Sequence, residues 1–232
     1  MEKHNYKYLF FDLDNTLMNF TTASKAAFDQ LVLDHQIFEA PDAYDVYKKI
    51  NGAIWKAFEE NKLNTQQIRE MRFTQMLEHY NLQGDGLELN RIYLENLIRF
   101  PHLLDNAIEC LDGLKRFYKL VLITNGLKEV QRPRLKAAGL YNYFEAIVVS
   151  DEIGVSKPDK RYFDYSFSLI EKVERKDVLV IGDNLNSDIL GAENYGLDHC
   201  WFNGKHLENT STLKPKFEVR SLIELKNLLL KN

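Results

Sequence analysis

Short apolar runs without polar alternation recur along the chain, and they predict β-strands that are buried on both faces of a parallel sheet. These runs occupy residues 8–11, 119–124, 146–150, 178–182 and 200–203. Helical stretches follow the later runs: KEVQRPRLKAAGL stops at Gly139, and the last helix begins with Ser221 and Glu224 at capping-box spacing. The alternation predicts an α/β fold with a doubly wound, parallel, Rossmann-like sheet.

The connection between the first two predicted strands is far too long for one crossover helix. It contains about a hundred residues. Apolar residues there follow the helical spacing i, i+3, i+4, i+7, as in the stretch 73–80. We therefore predict a helical insertion, residues 18–100, within an α/β core formed by residues 1–17 and 101–232.

Composition and charge narrow the setting. The 232 residues are 45% hydrophobic and 28% charged, as in soluble globular proteins, and the net charge of −4 argues against a nucleic acid polymer as partner. The short apolar run near the N-terminus meets carboxylates at once, and no later stretch could span a bilayer, so we expect a cytoplasmic protein without membrane association. Cys110 and Cys200 lack metal-ligand spacing and are expected to be buried free thiols. Nothing in the sequence assigns an oligomeric state.

Polar residues follow several predicted strands at the point where each strand ends. In doubly wound sheets, ligands bind beyond the carboxyl ends of the strands, where the strand order reverses. A DxD pair or a single lysine is weak when taken alone, but this series in this order is hard to obtain from turns. The candidate site residues are Asp12, Asp14, Thr124, Asn125, Lys157, Asp183 and Asp188.

The charges of these residues indicate a cation and an anionic ligand. Four aspartates carry four formal negative charges, Lys157 offsets one of them, and a divalent cation leaves a single negative charge that protonation of one aspartate would remove. Carboxylate oxygens favour Mg²⁺ over softer metals. An ionised carboxylate beside a protonated one suits phosphoryl transfer to the carboxylate. Lys157, the Thr124 hydroxyl and backbone N–H groups would hold the phosphate.

Four segments resemble the four motifs of the haloacid dehalogenase superfamily, in its phosphatase branch. DLDNT is similar to the first motif, ITN to the second, SKP to the third and IGDNLNSD to the fourth. The resemblance implies a Mg²⁺-dependent phosphohydrolase that works through an aspartyl-phosphate intermediate. It also implies that the insertion is a helical cap, which closes over the active site and excludes water.

The resemblance implies a role for each aspartate. Asp12 is the nucleophile, and Asp14 protonates the leaving ester oxygen and later activates water. The carboxylates of Asp12 and Asp183 and the backbone carbonyl of Asp14 bind Mg²⁺, while Asp188 supports the metal's waters and Lys157. Dehalogenases of this superfamily lack an acid at the position of Asp14, because a halide leaves without a proton; an alkoxide needs one.

The same resemblance assigns the phosphate-binding residues. Thr124 and Lys157 bind the phosphoryl oxygens, and Asn125 offers its backbone N–H. Within the insertion, Asn51 and Trp55 resemble positions in a nucleotidase cap, where an amide and an aromatic face could serve a base. An amphipathic helix also places such residues in its core.

Longer stretches are similar to the bacterial house-cleaning pyrimidine 5′-nucleotidases. They are TNGLKEVQRPRL, DEIGVSKPDKRYFDYS and IGDNLNSDILGAENYGLDHCWFN. This similarity implies a small phosphate ester as substrate, a pyrimidine nucleoside 5′-monophosphate. Pro133 departs from the pattern of a continuous helix, and we expect it to shorten or kink the start of the helix that carries Gln131 and Arg134.

Two other functions stay open. A sugar-phosphate phosphatase or phosphomutase of the same superfamily would share all four motifs and differ in the insertion. A phospho-acceptor signalling module also uses an acidic cluster, a threonine and a lysine on a doubly wound sheet. Such a module has no long insertion after its first strand, and it retains its phosphoryl group instead of turning over.

Overall fold

The computed structural model of the protein describes residues 6–230, and these residues include one six-stranded sheet. Its strands are β1 (Tyr8–Phe11), β2 (Lys119–Thr124), β3 (Ala146–Val149), β4 (Val178–Gly182), β5 (Asp198–Phe202) and β6 (Phe217–Val219). All neighbouring strands are parallel, in the order β3-β2-β1-β4-β5-β6. The chain winds outward from β1 to one side and then from β4 to the other, which confirms the predicted doubly wound sheet.

A helical unit is formed by residues 21–101, whereas residues 6–20 and 102–230 belong to the unit that contains the sheet. The helices of the helical unit are α1 (Phe20–His35), α2 (Ala43–Glu59), α3 (Thr65–His79) and α4 (Gly86–Arg99). The first residue of α1, Phe20, lies one residue before the boundary of that unit. The helices of the sheet unit are α5 (Ala107–Leu114), α6 (Lys128–Ala137), α7 (Ser150–Ile153), α8 (Lys160–Ser168), α9 (Leu190–Tyr195) and α10 (Leu222–Leu230).

Side-chain caps determine where helices of the insertion begin. Asn64 precedes α3 and accepts from the backbone N–H of Gln67 at 2.9 Å, while the Gln67 side chain accepts from the N–H of Asn64, also at 2.9 Å. Asp85 precedes α4 and accepts from the N–H groups of Leu87 and Glu88. These contacts satisfy N–H groups that a helix leaves unpaired at its start.

The central strand β1 explains why its sequence lacks polar alternation. Leu9 and Phe11 pack into the core on one face of the sheet, and Tyr8 and Phe10 pack into the core on the other. All four residues are at most 1% exposed. Successive side chains of a strand point to opposite faces, so a strand with helices on both faces needs apolar residues at every position.

The predicted bounds of two strands differ from the structure, and one strand is absent from the prediction. The third strand ends one residue earlier than predicted, because Ser150 begins α7, and β5 spans Asp198–Phe202 instead of residues 200–203. The edge strand β6 has three residues, and its middle residue, Glu218, is exposed. A strand so short, with a charged residue at its centre, lacks the apolar run on which the prediction rests.

The predicted cap of the last helix forms only in part. The Ser221 hydroxyl oxygen accepts from the backbone N–H of Glu224 at 3.1 Å. The Glu224 carboxylate accepts from the N–H of Arg220 at 2.7 Å, one residue before the donor that a capping box uses.

Both cysteines are free and buried, as the sequence predicts. Burial raises the pKa of the Cys110 thiol to about 12. No helix within residues 6–230 is long and apolar enough to cross a lipid bilayer.

Replacement of Phe10 by alanine tests the packing of the central strand. Phe10 is fully buried, and its ring lies 5.6 Å from that of Phe167. We expect Phe10→Ala to lower the free energy of unfolding by about 3–5 kcal/mol, measured by urea denaturation. The matched control is Phe117→Ala, since that ring is 70% exposed; its effect is expected within about 0.5 kcal/mol. Equal losses in the two variants would contradict this account of the core.

Candidate active site

The acidic cluster lies where β1 and β4 end. The backbone N–H of Asp12 donates to the carbonyl oxygen of Ile181 at 2.9 Å, so the two strands stay paired as far as the carboxylate. Carboxylate oxygens of Asp12, Asp183 and Asp188 lie within 4.8 Å of one another. The predicted edge of the sheet therefore brings these three aspartates together, whereas the Asp14 carboxylate contacts α6.

A buried lysine lies between two of these carboxylates. Lys157 is 1% exposed, and its Nζ donates to Oδ1 of Asp12 at 2.8 Å, to Oδ1 of Asp188 at 2.7 Å and to the carbonyl oxygen of Ile123 at 2.8 Å. An ammonium has three N–H donors, and all three are used here. A phosphoryl group could therefore bind Lys157 only by sharing or replacing one of these bonds.

The side chain of Asn125 fixes the backbone of Lys157. Its Oδ1 accepts from the N–H of Lys157 and its Nδ2 donates to the carbonyl oxygen of the same residue, both at 2.9 Å. The peptide bond between Lys157 and Pro158 is cis. Asn125 thus connects the end of β2 to the loop after α7, a contact separate from the phosphate-binding role that the family resemblance implies for its backbone N–H.

A π-helical turn, Leu185–Ile189, directs Asp188 back toward the sheet. One oxygen of Asp188 accepts from the N–H of Asn184 at 3.1 Å, and the other accepts from Lys157. The Asp183 carbonyl oxygen accepts from the indole N–H of Trp201 at 2.9 Å. Hydrogen bonds to Asp183 and Asp188 therefore hold the end of β4 and the turn that follows it.

Gly182 leaves space for the Asp188 carboxyl group. A Cβ atom at Gly182 would lie 2.3 Å from the carboxyl carbon of Asp188 and 2.6 Å from its Cβ. Real side chains do not approach so closely, so a residue other than glycine would displace Asp188 from Lys157. The glycine of the GD pair is required by the aspartate six residues later in the chain.

Two residues of α6 that the sequence leaves out of the candidate site contact the carboxylate of Asp14. Gln131 donates from Nε2 to Oδ2 of Asp14 at 2.9 Å and to Oγ1 of Thr124 at 2.7 Å. Arg134 donates from Nη1 to the same Asp14 oxygen at 3.2 Å, and its Nη2 lies 2.8 Å from Oδ1. Gln131 and Arg134 are 2% and 1% exposed.

The expectation that Pro133 shortens the start of this helix is wrong. Helix α6 begins at Lys128 and continues through Pro133 to Ala137. Gln131 and Arg134 are three residues apart and share a face with the buried Leu135. Helix α6 directly follows Thr124 and Asn125 at the end of β2, and two polar residues lie on its apolar face. This pattern is a sequence signal that could have identified Gln131 and Arg134.

Burial dominates the electrostatics of the cluster. It raises the pKa of Asp12 to about 7, although Lys157 lowers it, and the nearby Asp188 adds to the rise. Burial and the neighbouring carboxylates of Asp12 and Asp188 raise the pKa of Asp183 well above its usual range. Burial alone would lower the pKa of Lys157, but the same two carboxylates raise it above its ordinary value.

The donor set fits a hard divalent cation. Carboxylate oxygens of three aspartates lie close enough together to share one ion, and oxygen ligands are those that Mg²⁺ prefers. Arg134 is a second buried cation beside Asp14, which the charge count from the sequence omits. With both basic residues counted, a divalent cation brings the formal charge of the site without its substrate to zero.

A doubly wound sheet with an acidic cluster at its switch point defines a class of α/β proteins that bind their ligand at the carboxyl ends of the strands. The sequence matches the haloacid dehalogenase-like hydrolases over residues 6–196, and the chain belongs to this family.

Relatives extend the match over nearly the whole chain. The pyrimidine 5′-nucleotidase PynA of Streptococcus pneumoniae is 35% identical over 98% of this chain and 96% of that protein. The pyrimidine 5′-nucleotidase YjjG of Escherichia coli is 33% identical over 98% of this chain and 99% of that protein. These matches confirm the family to which the sequence motifs point. They also confirm the prediction that the protein is an enzyme that hydrolyses phosphoric monoesters.

A solved structure agrees in fold. The orthorhombic crystal form of the HAD-hydrolase YfnB of Bacillus subtilis, described as bound to magnesium and as revealing interdomain movement, has a TM-score of 0.91. It is 35% identical and covers 97% of this chain and 99% of its own.

A methyl group at Gly182 should disable the acidic cluster. We expect Gly182→Ala to displace Asp188, to break its ion pair with Lys157 and to lower phosphate release by at least about 100-fold, on the order of the loss of one preorganised catalytic contact. The control is Gly52→Ala in α2, where a Cβ meets no atom within 4 Å; it should keep full activity and gain about 0.5–1 kcal/mol in helix stability. An active Gly182→Ala enzyme would contradict the steric argument.

Mg²⁺ should stabilise the protein more at alkaline than at acid pH. The folded-state pKa of Asp12, about 7, exceeds the unfolded value, so its contribution to stability is complete below about pH 4 and is lost as pH rises through about 7. A saturating cation reverses that loss, and at a hundredfold excess over Kd it adds about 2.7 kcal/mol, or about 5–10 °C in Tm.

Thermal denaturation with Mg²⁺ and with EDTA at about pH 5 and about pH 8 measures this difference. The control is Asp12→Asn, whose amide does not titrate; its metal-free Tm should fall less between the two pH values. Equal stabilisation of the unsubstituted protein by Mg²⁺ at both pH values would contradict the prediction.

Proposed function

We propose that the protein is a Mg²⁺-dependent phosphatase that hydrolyses pyrimidine nucleoside 5′-monophosphates through an aspartyl-phosphate. The observation that carries this proposal is the juxtaposition of Asp12, Lys157 and Asp188 at the switch point, in a chain about 35% identical along nearly its full length to a pyrimidine 5′-nucleotidase. The cytoplasmic location predicted from the sequence stays a prediction.

Asp12 is the nucleophile in this proposal. One of its carboxylate oxygens attacks phosphorus, the bond between phosphorus and the ester oxygen breaks, and the departing oxygen takes a proton from Asp14. Asp14 then accepts a proton from water as the water oxygen attacks phosphorus, and the bond between phosphorus and the Asp12 oxygen breaks to give inorganic phosphate and a free Asp12 carboxylate. The Asp12 ion pair with Lys157 fixes the direction from which the carboxylate meets its substrate.

Thr124 and the N–H of Asn125 bind phosphoryl oxygens in this proposal, and Lys157 does so by sharing its Asp12-directed donor. The Thr124 oxygen already accepts from Gln131, so its own O–H remains as a donor.

The carboxylates of Asp12 and Asp183 and the backbone carbonyl of Asp14 would hold the metal, with Asp188 in support. A bound Mg²⁺ supplies positive charge that offsets the negative charge of the phosphoryl oxygens.

Phosphate release from a panel of esters tests the proposal. The panel contains pyrimidine and purine 5′-monophosphates, in ribo and deoxy forms, and hexose phosphates, each with Mg²⁺ and with EDTA. We expect Mg²⁺-dependent hydrolysis with the highest kcat/KM for pyrimidine nucleotides. Preference for hexose phosphates would replace the nucleotidase by the sugar-phosphate alternative, and release of only one phosphate per protein molecule would favour the phospho-acceptor module.

Asp12→Asn is the control for the covalent step. The substitution is isosteric, so we expect an unchanged fold and no phosphate release. Acid-quenched protein incubated with radiolabelled substrate should carry labelled phosphate in the unsubstituted enzyme and none in Asp12→Asn. Substantial activity of the variant would remove Asp12 as the nucleophile.

A further inference from the structure

We propose that Gln131 and Arg134 are positioning residues that hold the Asp14 carboxyl group in place for proton transfer to the leaving group. This inference rests on the proposed function, because it concerns the acid of that reaction. It means that the site includes residues of α6 as well as residues from the loops that follow the strands. It also explains why two polar side chains of this helix are buried.

Arg134 is a buried cation whose carboxylate partner is Asp14. Its Nη1 donates to Oδ2 of that residue at 3.2 Å, and its Nη2 forms an ion pair with Oδ1 at 2.8 Å. The Nε and Nη2 atoms are buried and have no hydrogen-bond partner among the residues that the structure describes. A buried charge is costly unless it is paired. Movement of Asp14 away from Arg134 would leave that charge without its partner, which restrains the carboxylate to this position.

Arg134 also determines which way the Gln131 amide points. Its Nη1 donates to Oε1 of Gln131 at 2.9 Å, and a guanidinium can only donate. The amide nitrogen of Gln131 must therefore face the opposite way, toward Asp14 and Thr124. If the amide were reversed, its oxygen would face the Asp14 carboxylate and its NH₂ group would face the guanidinium of Arg134. Neither pair could form a hydrogen bond.

Gln131 in turn connects the acid to the phosphate-binding hydroxyl. One amide nitrogen donates to both Asp14 and Thr124, at 2.9 and 2.7 Å. Gly126 leaves room for this arrangement, because a Cβ there would lie 2.4 Å from the Gln131 nitrogen. The chain from Thr124 through Gln131 to Asp14 thus fixes the distance between the residue that binds the phosphoryl group and the residue that protonates its ester oxygen.

The dependence of rate on the leaving group separates positioning from a structural role. Departure of an alkoxide from a nucleotide needs a proton, whereas a dinitrophenolate leaves without one. The ratio kcat/KM reports steps up to the first irreversible one, so it isolates this departure from the later hydrolysis of the aspartyl-phosphate. Arg134→Met and Gln131→Met should therefore lose far more kcat/KM on a pyrimidine nucleoside monophosphate than on dinitrophenyl phosphate.

We expect a loss of about 100-fold on the nucleotide and less than about fivefold on dinitrophenyl phosphate, in the range of general acid catalysis. Asp14→Asn should show the same selectivity, and Arg134→Met should add little to it in the double variant, since both act on one group. Arg134→Lys keeps a cation without the planar fork and should recover part of the loss. Gln131→Met carries the test if Arg134→Met does not fold.

Arg132→Met is the matched control. Arg132 lies on the same helix, but it pairs with Glu152 at 2.6 Å, away from the aspartates. This substitution should leave kcat/KM unchanged on both the nucleotide and dinitrophenyl phosphate. Equal losses on the two esters, or losses that add fully to Asp14→Asn, would overturn the positioning role while the proposed function stands. Absence of phosphate release from every ester by the unsubstituted enzyme would overturn both.

Discussion

The arrangement of the active site depends on one buried ammonium group between two carboxylates. Lys157 bridges Asp12, which follows β1, and Asp188, which follows β4, and all three side chains are nearly inaccessible to solvent. Without this cation the two carboxylates would repel each other where little water screens them. Removal of one member of such a buried pair typically costs about 3–5 kcal/mol, because the remaining charge is left unpaired. The segments that follow three different strands are therefore fixed relative to one another by a single nitrogen atom.

The surroundings of this ion pair are adapted to keep it in place. The side chain of Asn125 bonds to both the backbone N–H and the carbonyl oxygen of Lys157, and Gly182 gives Asp188 the space to reach the ammonium. A second network, built on Arg134 and Gln131, holds the carboxyl group of the fourth aspartate, Asp14. Charges in such a site need little rearrangement during a reaction, because the protein has already oriented their partners.

The sequence predicts the sheet and the strand-end residues well because each depends on local patterns. A buried parallel strand needs a continuous apolar run, and the site residues follow such runs directly. The edge strand β6 and the pair Gln131 and Arg134 escape this reasoning for different physical reasons. The strand is too short to form a pattern, and Gln131 and Arg134 become meaningful only when α6 is placed against Asp14. Arg134 therefore had no place in a charge count made from the strand ends alone.

The π-helical turn after β4 ties the orientation of Asp188 to the number of residues in that turn. A π turn contains about one residue more than an α turn. The N–H of Ile189 accordingly reaches the carbonyl oxygen of Asn184 at 3.3 Å, a five-residue span. Loss of a single residue from Leu185–Ile189 would allow an ordinary α-helix, but it would rotate Asp188 by about 100° around the helix axis and away from Lys157. This stretch can vary in its side chains far more readily than in its length.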